Sequence, residues 1–300
     1  MSTALQPRAG TSYSQTTTAR AASPGMSAVV ERGQALERAG KREEARLCYE
    51  RALHDGTAAV APEAAQLLRL SARTYLQDAD YSAASDCAQA ALTVAELARD
   101  EGGRGHAINI LAVVEWKQGN LDDAKRLYLL ARDSAHRSGE ARLAAMTASN
   151  LGVIANVRGE EDDARAHYES SLDDARGAGL ADQAIAALCN LGQLNTQSGH
   201  LEAANRHLLE AREVSTVIGD RSMLITIELH LAKLRIKQGD HKGARVACDQ
   251  ARGIVAQIGD SREAGEAQYV YGLVERASGA ARSAARRVGP ECRSRWSPYH

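Results

Sequence analysis

NLGVIANVRGEEDDARAHY at 150–168 and NLGQLNTQSGHLEAANRHL at 190–208 overlay without a gap. Two further stretches share their register, ILAVVEWKQGNLDDAKRLY at 110–128 and HLAKLRIKQGDHKGARVAC at 230–248. In each, a leucine is followed three residues later by an apolar residue: Leu111 and Val114, Leu151 and Ile154, Leu191 and Leu194, Leu231 and Leu234. That spacing keeps both on one face of a helix. Ala or Gly stands beside each leucine (Ala112, Gly152, Gly192, Ala232), and an alanine opens the second half of each stretch. Small residues at fixed places let two helices approach closely while larger side chains fill the groove between them.

The register extends outward in both directions. Ala45, Ala84, Ala124, Ala164, Ala204, Ala244 and Ala284 recur 39 or 40 residues apart. Gly40, Gly119, Gly159, Gly199, Gly239 and Gly279 mark one turn per unit, and Gly139, Gly179, Gly219 and Gly259 fall halfway between. Each unit is therefore two arms of about twenty residues, the signature of a solenoid. Prolines occur only at 7, 24, 62, 290 and 298, so residues 63–289 lack the strongest helix breaker. That interior is rich in Ala, Leu, Arg, Glu and Gln, so propensity and pattern agree on helix. An arm of about 18 residues is roughly 27 Å long at ~1.5 Å per residue. One pair buries too little to be stable alone, so each must stack on its neighbours.

Composition narrows the function. The formal net charge is -1, without acidic or basic blocks in the interior, so neither a nucleic-acid footprint nor a polybasic membrane anchor is present there. No run of 18 apolar residues exists and the amino terminus lacks a secretory pattern, which leaves the cytoplasm as the expected location. Five cysteines, Cys48, Cys87, Cys189, Cys248 and Cys292, lack C-x-x-C spacing and are expected to be buried and reduced. The nine histidines form no H-x-x-x-H pair, and no metal or other cofactor is expected. Residues 1–25, poor in apolar side chains and rich in Ser, Thr and Ala, read as a disordered tail.

Leu followed by Gly or Ala, a glycine turn, then Ala-x3-Tyr (Ala45 to Tyr49, Ala124 to Tyr128, Ala164 to Tyr168) resembles the tetratricopeptide repeat, with units of 40 residues where that family usually has 34. Units of this length are similar to those of kinesin light chains, Leu-Gly-Asn-type polarity scaffolds, and the sensor arms of bacterial transcription activators and diguanylate cyclases. HEAT and armadillo solenoids share the period and are the alternative architecture. Ala79 replaces the turn glycine in the second unit, and Ala88, Leu208 and Cys248 replace the aromatic residue, swaps expected to lower local stability without changing the fold. The resemblance implies an all-α, right-handed superhelical solenoid of antiparallel helix pairs over residues 26–279, about six and a half units.

Such arrays bind partners on a concave surface lined by the first helix of each pair. At 100° per residue, the face opposite the core leucines carries His106, Asn109, Val113, Trp116 and Lys117. Its equivalents in other units include Arg69 and Arg73, Asn150 and Asn156, Asn190 and Gln193, and Lys233 and Lys237. Asn and Gln can donate to and accept from a peptide backbone, while Arg and Lys suit carboxylates, so the expected ligand is an extended or acidic peptide segment of a partner protein. Asn150 and Asn190 fall where the resemblance implies an asparagine that holds a ligand's main chain; the alternative is a solvated or turn-stabilising role. Trp116 is either a binding anchor or core. Chaperone-tail receptors of the family need a Lys and an Asn where Arg69 and Arg73 stand and an Asn where Ile110 stands, so that role is not expected.

No motif supports catalysis: G-x-S-x-G, the phosphate-binding G-x-x-x-x-G-K-[ST] and the kinase set are absent. Asp122 with Asp123, and Asp162 with Asp163, open second helices where negative charge suits the helix dipole. Beyond Gly279, Gly289-Pro290 halts any helix and five arginines face one glutamate, so residues 280–300 read as a basic tail, truncated or out of frame. Nucleic acid is expected as a partner only through that tail. The expected function is a non-enzymatic protein-interaction scaffold. The alternative is a regulatory sensor arm of a bacterial signalling protein, whose output domain lies outside this chain. Membrane association and small-molecule substrates are not expected, and the oligomeric state is left open.

Overall fold

The computed structural model describes residues 24–57, 60–258 and 261–279. The tails expected before residue 24 and over 280–300, and Cys292 with them, lie outside the described residues. The described chain is helical throughout: α1 (Pro24–Arg38), α2 (Arg42–His54), α3 (Ala61–Gln77), α4 (Tyr81–Leu97), α5 (Glu101–Gln118), α6 (Leu121–Ser138), α7 (Ala141–Arg158), α8 (Glu161–Gly177), α9 (Ala181–Ser198), α10 (Leu201–Ile218), α11 (Arg221–Lys237), α12 (His241–Ile258) and α13 (Ser261–Ala277). The first helix opens at Pro24, where the sequence pattern placed the start of the array at about Met26. Proline at a helix start loses no hydrogen bond and is pre-set in φ.

The turns follow from one backbone device. After α5, Gly119 adopts φ +86° and the amide of Asn120 bonds back to the carbonyl of Glu115, closing a Schellman motif. The same closure recurs at Glu140 to Ala135, Glu160 to Ala155, His200 to Asn195 and Asp220 to Ser215. Among the described residues two turns manage without glycine: Ala79 at φ 60° and Arg99 at φ 54° hold left-handed conformations that cost an L-residue about 1 kcal/mol or more.

Each helix packs on the next, and each odd-numbered helix also packs on the next odd-numbered one; among the described residues, even-numbered helices make no comparable mutual contact. The result is a two-layered solenoid, odd helices forming the inner layer and even helices the outer. The core runs continuously from Ala145 to Val274, with smaller clusters around Tyr49 and Tyr128. Within a unit, the small residue of the first helix faces the knob sixteen residues later. A Cβ built on Gly152 would lie 2.5 Å from the Tyr168 ring, one on Gly33 2.1 Å from Tyr49, and one on Gly192 2.6 Å from Leu208. Where the small residue is Ala72 or Ala232, the knob shrinks to Ala88 or Cys248. Ala112 opposite Tyr128 is the exception.

Charges tie one unit to the next at a separation of 36 residues, one repeat less one helical turn. Arg73 forks onto Glu37 at 2.8–3.1 Å, Arg137 onto Glu101 at 2.7 Å, Arg42 onto Asp78 at 2.5 Å, and Arg158 meets Asp122.

Candidate functional site

Each inner helix is buried against its outer partner and its inner neighbours, which leaves one strip of side chains open. In α5 the strip includes Val113, Trp116 and Lys117; in α7 it is Met146, Ser149, Asn150, Val153, Asn156 and Val157; in α9 it is Ala186, Asn190, Gln193 and Gln197; in α11 it is Thr226, Lys233, Ile236 and Lys237, with the His230 ring largely covered between them. The spacing of three or four residues is that of a single helix face.

Of the residues singled out from sequence, Trp116, Lys117, Asn150, Asn156, Asn190, Gln193, Lys233 and Lys237 lie on these strips. Asn109 does not: it is 7% exposed, and its Oδ1 is buried without a hydrogen-bond partner. Arg73 is exposed, but its guanidinium is occupied by Glu37, which also accepts from the Tyr49 hydroxyl at 2.6 Å. Arg69 is largely sunk beside α5, where Gly103 leaves it room; a Cβ there would sit 3.2 Å from Nη1. Burial lowers the Arg69 pKa, opposed by the carboxylates of Asp100 and Glu140, and Nη1 has no hydrogen-bond partner. Burial and the nearby Arg69 charge lower His106 to about 4.

Trp116 is half-buried, its ring packed with Val113 on the cluster of Ala112, Tyr128, Leu151 and Ile154. Asn190 donates to the Ser149 hydroxyl of the preceding inner helix at 2.9 Å, so it stitches two units together. Asn150 makes no such bond to α5, because Ile110 and Asn109 stand there in place of an exposed hydroxyl. Lys233 pairs with Glu266 at 3.3 Å, and with Ile236, Lys237, Leu273 and Arg276 it lines a hollow of about 340 Å³ between α11 and α13. The inner surface therefore changes along the array. At α3 its arginines are neutralised by Glu37 or covered by α5; it is apolar around Trp116 and Val153, rich in amides over α7 and α9, and basic at α11 and α13.

The helical wheel missed the partners that occupy these groups, Glu37 and Glu266, and a half-buried network linking α9 to the outer helices α8 and α10. There Arg165 donates to Asn195 Oδ1 at 2.7 Å, and Asn195 meets His207 Nδ1 at 3.2 Å. Opposite charges one repeat less a turn apart were the available signal for Glu37. Cys189 and Cys248 are buried free thiols pushed up by burial to about 12 and about 11, and Cys48 and Cys87 are half-buried. Among the described residues no group of His, Cys, Asp and Glu is placed to hold a metal ion, and no helix is long and apolar enough to cross a membrane.

Residues 143–216, spanning α7 to α10, match the tetratricopeptide repeat family model. The array is built of tetratricopeptide-like repeats. By sequence, no curated protein matches the chain. Among solved structures it is similar to BtubC (BKLC) from P. vanneervenii, at 18% identity and a TM-score of 0.59, over 78% of this chain and 91% of that one. It is also similar to a Rap protein complexed with Competence and Sporulation Factor, at 16% identity and a TM-score of 0.63, over 92% of this chain and 77% of that one. A third is a signal transduction ATPase with numerous domains from Pyrococcus horikoshii, bearing a tetratricopeptide repeat sensor. It has 14% identity and a TM-score of 0.61, over 88% of this chain and 40% of that one. At these identities the likeness is one of fold.

Proposed function

We propose that the chain is a non-enzymatic protein-interaction scaffold whose inner surface binds an extended peptide segment, acidic at the end that meets α11 and α13. The observation that carries this reading is the order of side chains along the open strips. Amides at Asn150, Asn156, Asn190 and Gln193 suit a peptide main chain, Trp116 with Val113 and Val153 suits an apolar side chain, and the hollow with Lys237 and Arg276 suits a carboxylate. The Rap protein of similar fold, solved in complex with Competence and Sporulation Factor, supports the reading.

The test is selection of extended peptides against the full chain, followed by titration of the selected peptides against the Asn150→Ala/Asn190→Ala variant. Removing two side-chain amides that hold the peptide main chain should weaken binding by about 1–3 kcal/mol, roughly 5- to 150-fold, at unchanged helix content. Equal affinity for both proteins would move the site off the inner surface. A second reading, a sensor arm acting on an output module elsewhere, draws on the Pyrococcus horikoshii protein, in which a repeat array of this kind is the sensor part.

A further inference from the structure

Sixteen residues before each of the first five marker alanines the first helix carries an apolar residue: Val29, Leu68, Ile108, Ala148 and Leu188; before Ala284 it carries the uncharged Gln268. In α11 that place belongs to Glu228, which is 5% exposed. An isolated carboxylate taken out of water is costly unless its oxygens are paired, and here the pairing is incomplete. Arg212 Nη1 of α10 approaches Oε1 at 3.7 Å, beyond hydrogen-bond length, and Oε2 is buried without any hydrogen-bond partner. Burial raises the carboxyl pKa, partly offset by Arg212.

The Glu228 side chain lines a hollow of about 340 Å³ on the outer side of the solenoid, with α11 as its floor and α10 and α12 as its walls. Gly253 of α12 lines the hollow, where the preceding outer helices carry Thr93, Asp133, Asp173 and Glu213. A Cβ at 253 would meet no atom within 4 Å. Leu224 and Ile254 supply apolar wall, Thr216 and Gln250 supply polar atoms, and Ile218 and Ile258 lie exposed at the adjoining helix ends. Gln257 is already engaged by Arg221.

We infer that this outer hollow is a binding site for an alkylguanidinium group, with Glu228 as its counter-ion and Leu224 and Ile254 against its alkyl stem. The chemistry selects that class. A carboxylate with a free oxygen calls for a cation. The oxygens of Thr216 and Gln250 suit a head with several donors, and guanidinium has five and is weakly hydrated, so it enters a half-buried site more readily than ammonium. Arg212 already neutralises part of the charge, which disfavours a divalent cation.

The test is calorimetric titration of the full chain with butylguanidinium, butylammonium, guanidinium ion and N-acetyl-arginine methylamide. It is repeated on Glu228→Gln and on Glu228→Leu, the latter carrying the residue of the preceding unit. Saturable binding of butylguanidinium, at least tenfold weaker in Glu228→Gln and weaker for both butylammonium and bare guanidinium, supports the site. Arginine-derivative binding equal to that of butylguanidinium assigns the site to a partner's arginine side chain; much weaker binding assigns it to a free small guanidine. No saturation of the wild-type chain overturns the inference, and so does equal binding by wild type and Glu228→Gln. Thermal melting of each variant confirms folding. A Glu228→Leu chain that melts higher while wild type binds nothing would reduce Glu228 to a buried charge without a ligand.

Discussion

Acid should destabilise this solenoid well before its carboxylates titrate, and two histidines of the inner layer are the cause. His106 on α5 is held at about 4 by burial and by Arg69, and His230 on α11 at about 3 by burial and by Lys233. An unfolded histidine titrates near ~6.5. For a depressed folded pKa, the stabilisation is fully present above the unfolded value and is lost as pH falls toward the folded one. Between pH ~7.5 and ~5.0 each histidine should remove about 2 kcal/mol, about 4 kcal/mol for the pair, at about 1.36 kcal/mol per pKa unit. His167 and His207 are lowered in the same sense. Glu228, raised by burial, acts oppositely, because its folded form gains a proton more readily than its unfolded form. Asp78, Glu101, Asp182 and Asp240 are lowered by arginine partners or backbone bonds, so their contribution is lost as pH falls from the ordinary carboxylate value toward their lower folded values, beneath the pH ~5.0 end of this window. For a chain of this size about 4 kcal/mol corresponds to a fall in Tm of roughly 8–16 °C. Calorimetric melting at both pH values measures it. His106→Gln/His230→Asn substitutes the residues that other units carry at these places, Gln66 and Asn190. The double variant should lose at least half of the acid-induced fall. If it keeps the wild-type pH dependence, the burial argument is wrong.

Two other perturbations probe the repeat itself. Gly152→Val drives a side chain into the Tyr168 ring and should cost about 1–3 kcal/mol. Combined with Tyr168→Ala, the loss should be less than additive by about 0.5 kcal/mol or more, and strict additivity in urea melts would contradict the knob-and-gap account. Ala79→Gly and Arg99→Gly relieve left-handed strain and should each raise stability by about 1 kcal/mol, whereas lower denaturation midpoints would show that those side chains make packing interactions outweighing the strain.

Much of the fold was legible because the repeat writes it several times over. The marker alanines and turn glycines locate nearly every helix end, and Ala79 was visible as a glycine substitute. Arg99 was not, since nothing about arginine signals a positive φ; only its place 40 residues before Gly139 betrays it. The open strips also followed from helical periodicity, which put Asn150, Asn190 and Lys237 on the inner surface. Periodicity fails where burial depends on the neighbouring helix. Asn109 shares its angular position with exposed residues yet is closed over, and Arg73 reads as a free cation until Glu37, a repeat less one turn away, is brought against it. Glu228 was hidden for the same reason, because a single glutamate on a helix carries no sign that both its neighbours leave it covered.

The division of labour between tyrosine knobs and charged ladder has a mechanical consequence. Knobs such as Tyr168 lock the two helices of one unit, while pairs such as Glu37 with Arg73 and Glu101 with Arg137 bridge successive units at the rim. Rim pairs are screened by salt and apolar knobs are not. Raising ionic strength is therefore expected to loosen the rim contacts between units first, while the knobs and the apolar core that joins α7 to α13 hold.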